Sequence, residues 1–174
     1  MPKPMDPISL RALVQDREEA NWHFRHFLKH QCRISDEKLE FMVHELTEQV
    51  SANIDCTLCA NCCKTIRPTL TEQDVDRLAT RLAISRQELI DKYLEKNVRD
   101  PDSPYITRTT PCPFLQDNLC SVYHDRPEAC QGYPYLDEPD LRFRMIDMVR
   151  GTFTCPIIYE VMEKLKAMTR FRHR

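Results

Sequence analysis

Glycine is almost missing from this chain: 174 residues contain two, Gly132 and Gly151. So little glycine leaves no phosphate-cradling loop and no dinucleotide-binding G-x-G-x-x-G turn, and neither motif occurs. The nucleophile elbow G-x-S-x-G and the zinc-protease helix H-E-x-x-H are absent as well. Long apolar runs are also lacking, and every one falls far short of the roughly twenty residues that a membrane span needs. The opening "MPKPMDPISL" has no basic, apolar and small-residue succession of a signal peptide. Charge of one sign is lacking too. The formal net charge is −2, which gives no general attraction to nucleic acid or anionic lipid. These absences lead us to expect a cytoplasmic chain with no membrane partner and no nucleic-acid partner.

What is present reads mostly as helix. Apolar residues make up 41% and charged residues 30%, enough to build one ordinary globular core without cross-links. No glycine or proline interrupts Ile8 to His30, and Leu10, Leu13, Ala20, Phe24, Phe27 and Leu28 recur at helical spacing, predicting one long helix. Ser35 can cap a second, along which Leu39, Met42, Val43, Leu46 and Val50 form an apolar stripe. Thr71 with Asp74, and Ser85 with Glu88, have the spacing of helix-starting caps. They predict two short helices that turn Val75, Leu78 and Leu82, then Leu89, Ile90 and Tyr93, inward.

Beyond residue 97 the texture changes. "RDPDSPY" and "TTPCPFLQDN" are proline-rich and polar, predicting ordered loop with short strands at most. "LRFRMID" alternates apolar and basic residues and reads as a strand. Thr154 or Cys155, with Pro156 in the first turn, starts a last helix carrying Ile158, Val161, Met162 and Leu165. The expected fold class is mainly α: a compact helical domain with a cysteine-rich, loop-rich half. We expect an N-terminal amphipathic helical pair over residues 1–54 that packs on the rest. Residues 55–174 form the cysteine-rich part with its C-terminal helix, and together they make one globular unit.

The chemistry lies in nine cysteines. "DCTLCANCCK" contains Cys56-x2-Cys59-x2-Cys62-Cys63; Cys112, Cys120, Cys130 and Cys155 follow, and Cys32 lies apart. Thiols so clustered in a reducing compartment point to metal or redox chemistry rather than to a disulfide framework. Two-residue spacing lets successive thiolates converge on one centre, and three in series resemble the start of a ferredoxin run. The remote fourth ligand of such a cluster is commonly followed by proline, as Cys112-Pro113 and Cys155-Pro156 are. A zinc ribbon would repeat its C-x2-C pair, which this chain does not. Adjacent Cys62 and Cys63 cannot easily address the same iron. The count allows two four-thiolate centres, or one with thiols to spare. Cys32, at a helix end, is expected to be a non-ligand.

The order of motifs is specific. The cysteine quartet is followed by "RPTLTEQDVDRLATRLAISRQELIDKYL", then "PCPFLQDNLCSVYHDRPEACQGYPY", then "TCP". Over about residues 56–156 this resembles the CxxCxxCC (YkgJ-type) family of zinc- or iron-chelating, iron–sulfur-cluster-containing proteins. The resemblance implies Cys56, Cys59, Cys62, Cys63, Cys112, Cys120, Cys130 and Cys155 as metal and cluster ligands. It departs from the family at Ala60-Asn61, where glycine is usual between the second and third cysteines, and at Ile157, after the last Cys-Pro. The implied cofactor is an iron–sulfur cluster, [4Fe–4S], one or two, with zinc as the alternative. The implied role is electron transfer, or ordering a surface for a redox or client protein. Larger relatives such as flagellin lysine methylases look like the same motifs joined to methyl transfer, but no adenosylmethionine-binding segment is recognisable here.

Four lesser features remain. Arg126, before Pro127, could direct a guanidinium at the sulfurs or be an ordinary turn arginine. Tyr123, Tyr133 and Tyr135 could shield a cluster or fill the core. Glu19, His23, His26 and His30 share one side of the first helix, away from its apolar stripe; such a face could bind a transition metal or a partner's carboxylates, and exposed histidines are the expected reading. The basic tail "KLKAMTRFRHR" suits a helix C-terminus.

Overall fold

The computed structural model describes residues 5–173. The chain begins with α1 (Pro7–Gln15), α2 (Glu18–His30), α3 (Asp36–Ser51) and the short turns α4 (Cys56–Cys59) and α5 (Asn61–Thr65). Strand β1 (Thr69–Leu70) leads into α6 (Glu72–Leu82), α7 (Arg86–Tyr93), β2 (Leu94–Lys96) and β3 (Tyr105–Thr107). After these come β4 (Leu115–Gln116), β5 (Leu119–Cys120), a 3-10 turn over Tyr123–Asp125, α8 (Glu128–Gln131), α9 (Leu141–Gly151) and α10 (Pro156–Met168). With 57% helix and 7% strand, the fold class is mainly α, as expected.

The predicted caps form. Ser35 accepts the Lys38 N–H at the start of α3, where all five stripe residues are buried. Thr71 and Asp74 make a reciprocal capping box on α6, and Ser85 accepts the Glu88 N–H on α7. Pro156 opens α10 after Cys155.

Two elements differ from expectation. The stretch read as one helix is two, α1 and α2. The Arg17 N–H turns back to the Val14 carbonyl at 2.9 Å, and the Arg17 carbonyl then takes the Asn21 N–H to begin a new helix. The step lets each piece bury its own pair, Leu10 with Val14 and Phe24 with Leu28. "LRFRMID" is not a strand but the first part of α9. Its alternation is only seven residues long, whereas Leu141, Met145, Met148 and Val149 are buried at offsets of four, seven and eight, the period of a helix. Leu, Arg and Met also favour helix intrinsically.

The chain folds as two compact units. One unit joins the chain up to Cys59 with Pro134 onward; here α10 packs along α3, and α9 against α2 and α3. Apolar side chains from all four of these helices fill its core, among them Phe24, Leu39, Val43, Met145, Val161 and Leu165. The other unit, Ala60–Tyr133, is smaller in core. Leu70, Val75, Leu78, Ala79, Leu89, Leu94, Phe114 and Val122 are buried together, with Cys112 and Cys120 packed against them. A three-stranded antiparallel sheet in the order β1-β3-β2 and a β4–β5 hairpin complete it.

Candidate metal centre

Five cysteines gather in the Ala60–Tyr133 unit, each delivered by a different piece of local structure. Cys62 and Cys63 ride on α5. That turn begins at Ala60, whose φ of 50° lies in the left-handed region that glycine adopts freely. This is the stretch where the resembling family usually has glycine. Left-handed Ala60 lets the Ala60 carbonyl take the Lys64 N–H and start the turn, bringing the Cys62 and Cys63 sulfurs to 4.0 Å. Cys112 is tied to the pair through the backbone: its N–H donates to the Cys63 carbonyl at 2.7 Å.

Cys120 ends the β4–β5 hairpin. Its two-residue loop is Asp117-Asn118, both with positive φ, the mirror-image turn that matches strand twist. Asx residues tolerate that conformation, so a chain short of glycine still makes the tight turn. The Ser121 N–H and hydroxyl both donate to the Phe114 carbonyl, fixing the hairpin on the core.

Cys130 sits on α8, and a buried carboxylate sets where α8 starts. Asp74, beyond capping α6, accepts the Glu128 N–H at 3.2 Å and pairs with Arg77. Arg77 in turn donates to the carbonyls of Asp125 and Arg126. One Asp–Arg pair on α6 thus clamps the whole segment that leads to Cys130. Sequence reading gave Asp74 only its local capping role and passed over Arg77.

The five sulfurs influence one another electrically. The contact between the Cys62 and Cys63 sulfurs raises the Cys62 pKa and lowers that of Cys63. Burial raises Cys112, and the neighbouring Cys120 and Cys62 add to the rise. Burial also pushes Cys130 up to about 12, helped by Cys112, Cys62 and Cys120 and opposed by Arg126. Cys62, Cys112 and Cys130 thus resist ionising, and a cation that binds such thiols displaces their protons. All five donors are sulfur, the set that soft and borderline metals prefer. Arg126 fits the same environment: its guanidinium lies 4.2 Å from the Tyr123 ring, and its buried Nε has no hydrogen-bond partner within the protein. Its charge lies close enough to Cys130 to favour a thiolate there.

Cys56, Cys59 and Cys155 belong to the other unit, as does Cys32. Cys56 is exposed and Cys59 buried, at the two ends of α4, where Asp55 accepts from the Thr57 N–H and hydroxyl. Cys155 is buried and precedes α10. Cys32 is half-buried just beyond α2. Of the three tyrosines, Tyr123 and Tyr135 are exposed and Tyr133 is half-buried, so none is a core residue.

A family model described as "CxxCxxCC: putative zinc- or iron-chelating domain" matches residues 55–151. The chain belongs to this family. The match takes in the quartet and Cys112, Cys120 and Cys130, and ends before Cys155. Comparison with curated proteins and with solved structures found no match. Metal binding is the function class that family membership supports. No helix among the described residues is long and apolar enough to cross a membrane.

Proposed function

We propose that this CxxCxxCC protein holds an iron–sulfur cluster of the [4Fe–4S] type through its cysteine thiolates. In this reading the cluster serves electron transfer, or orders a surface for a redox or client protein in the cytoplasm. The observation that carries the proposal is the gathering of Cys62, Cys63, Cys112, Cys120 and Cys130, with Arg126 beside Cys130. Four thiolates suffice for one cubane, and an all-sulfur set suits it. Cys56, Cys59 and Cys155 enter the proposal on motif spacing alone, and substitution of each is their test. Bound there, the cluster would supply a one-electron couple. The protein's own part is to position the sulfurs through α5, the hairpin and the Asp74–Arg77 clamp, and to place Arg126 where it offsets thiolate charge.

Zinc is the second reading, favoured by the family description and by the fit of four thiolates to a tetrahedral site. Purification without oxygen, followed by an absorption spectrum and counts of iron, sulfide and zinc, separates the two. Broad visible absorption with about four irons and four sulfides per chain is the expected result. A colourless protein with stoichiometric zinc and no sulfide overturns the cluster and leaves a structural or metal-handling zinc centre.

A further inference from the structure

Glu19, His23, His26 and His30 share a face of α2, and the structure divides them. His26 and His30 lie against each other, with ring centroids 4.6 Å apart. Glu19 and His23 are joined instead by a residue from the far end of the chain, His173. One ligand atom from each of these three falls within 4.8 Å of the other two.

The meeting has a structural cause. After α10 the chain turns at Arg170, which takes a left-handed φ of 55°, and the Phe171 N–H closes on the Lys166 carbonyl at 3.0 Å. Phe171 then packs on Phe24 and Phe27 of α2, with ring centroids at 5.1 and 5.5 Å. Two residues further on, His173 stacks on His23 at 4.8 Å. An aromatic anchor therefore brings the tail histidine to a Glu–His pair already set one helical turn apart. All three side chains are exposed, so they can rotate without disturbing packing.

We propose that Glu19, His23 and His173 form a second metal site, for a divalent ion of the zinc class, separate in chemistry from the thiols. Two imidazoles and a carboxylate are the three-ligand set of open zinc sites. Metal–ligand bonds of about 2.0–2.1 Å place tetrahedral donors roughly 3.4 Å apart, a short closure from the spacing seen. The fourth position is left to water or to a small anion, which the neighbouring Arg170 and Arg172 would attract. The ion would fasten the C-terminal tail to α2.

The test is a zinc titration of the full-length chain as purified, followed through the imidazole resonances of its six histidines. It is run on the native chain and on His23→Ala, His173→Ala, Glu19→Gln and His26→Ala. The expected result is a zinc equivalent that shifts His23 and His173 together. It should be weakened about tenfold or more in the first two variants, weakened in Glu19→Gln, and unchanged in His26→Ala. The difference between native and variant chains does not depend on what the thiols hold. An equivalent that persists in both His23→Ala and His173→Ala, shifts only His26 and His30, or never appears overturns the site.

Discussion

The two units of this protein solve the problem of order differently. The unit made from both ends of the chain relies on helix packing: long amphipathic helices bury leucines, methionines and aromatics. Each such side chain stabilises the fold by about 1.5–3 kcal/mol when fully buried. The Ala60–Tyr133 unit has short elements, strands of two or three residues and a small core. Its order comes from specific polar links. Asp74 holds the start of α8, Arg67 bridges the Thr107 carbonyl and Glu95, and Arg86 reaches Glu72 and Asp76. Exposed ion pairs contribute little individually. Beside them stand the five thiols of Cys62, Cys63, Cys112, Cys120 and Cys130. A region with little core gains most from a ligand that binds several of its segments at once.

Metal removal should separate the units most. For structural zinc the stabilisation lost is on the order of 10 kcal/mol. Chelation should therefore release amide protection through α5, the β4–β5 hairpin and α8, while α3 and α10 stay protected in hydrogen exchange. Equal loss in both units would break the comparison.

Next in size is Asp74→Ala. It leaves Arg77 and the Glu128 N–H without their buried carboxylate, and removing one partner of such a pair costs about 3 kcal/mol. Urea unfolding should show that loss, and metal content should fall with it because Cys130 is no longer held. A change below about 0.5 kcal/mol would mean that the clamp is dispensable.

Alkaline pH should weaken the metal-free chain through Cys130. Burial holds Cys130 protonated, from an ordinary 9.0 up to about 12, so the folded state binds that proton more tightly than the unfolded state. The stability this gives is fully present below about pH 9 and is lost as pH rises towards 12. The urea midpoint of metal-free protein should fall across that window, while metal-loaded protein, with the proton already displaced, should not show this loss. A flat metal-free profile would mean that Cys130 is not buried among the other thiols.

The smallest effect expected is a gain. Ala60→Gly relieves a left-handed alanine and should stabilise the protein by about 1 kcal/mol. A loss on that substitution would show that the turn before Cys62 is not strained.

Legibility in the sequence followed range. Ser35, Thr71 and Ser85 act within one turn of themselves, so their caps and the helices behind them could be read directly. The stripe of α3 was equally plain. The break at Asp16-Arg17 was not, because no glycine or proline marks a step in which both halves keep apolar residues. The strand expected at "LRFRMID" came from trusting a seven-residue alternation over the longer helical period that runs through Val149. Cys62, Cys63, Cys112, Cys120 and Cys130 were recognised as candidates by type and spacing. What brings Cys130 into place was hidden, because Asp74 and Glu128 lie far apart in the chain. The meeting of His173 with Glu19 and His23 was hidden for the same reason, since Phe171 alone gives no sign of where it will anchor.

The most direct test of the central claim is the metal content of single-cysteine variants purified without oxygen, with Cys62→Ser and Cys130→Ser set against Cys32→Ser. The account predicts that the first two lose most of their metal and the third keeps it all. Full metal in both Cys62→Ser and Cys130→Ser would contradict it.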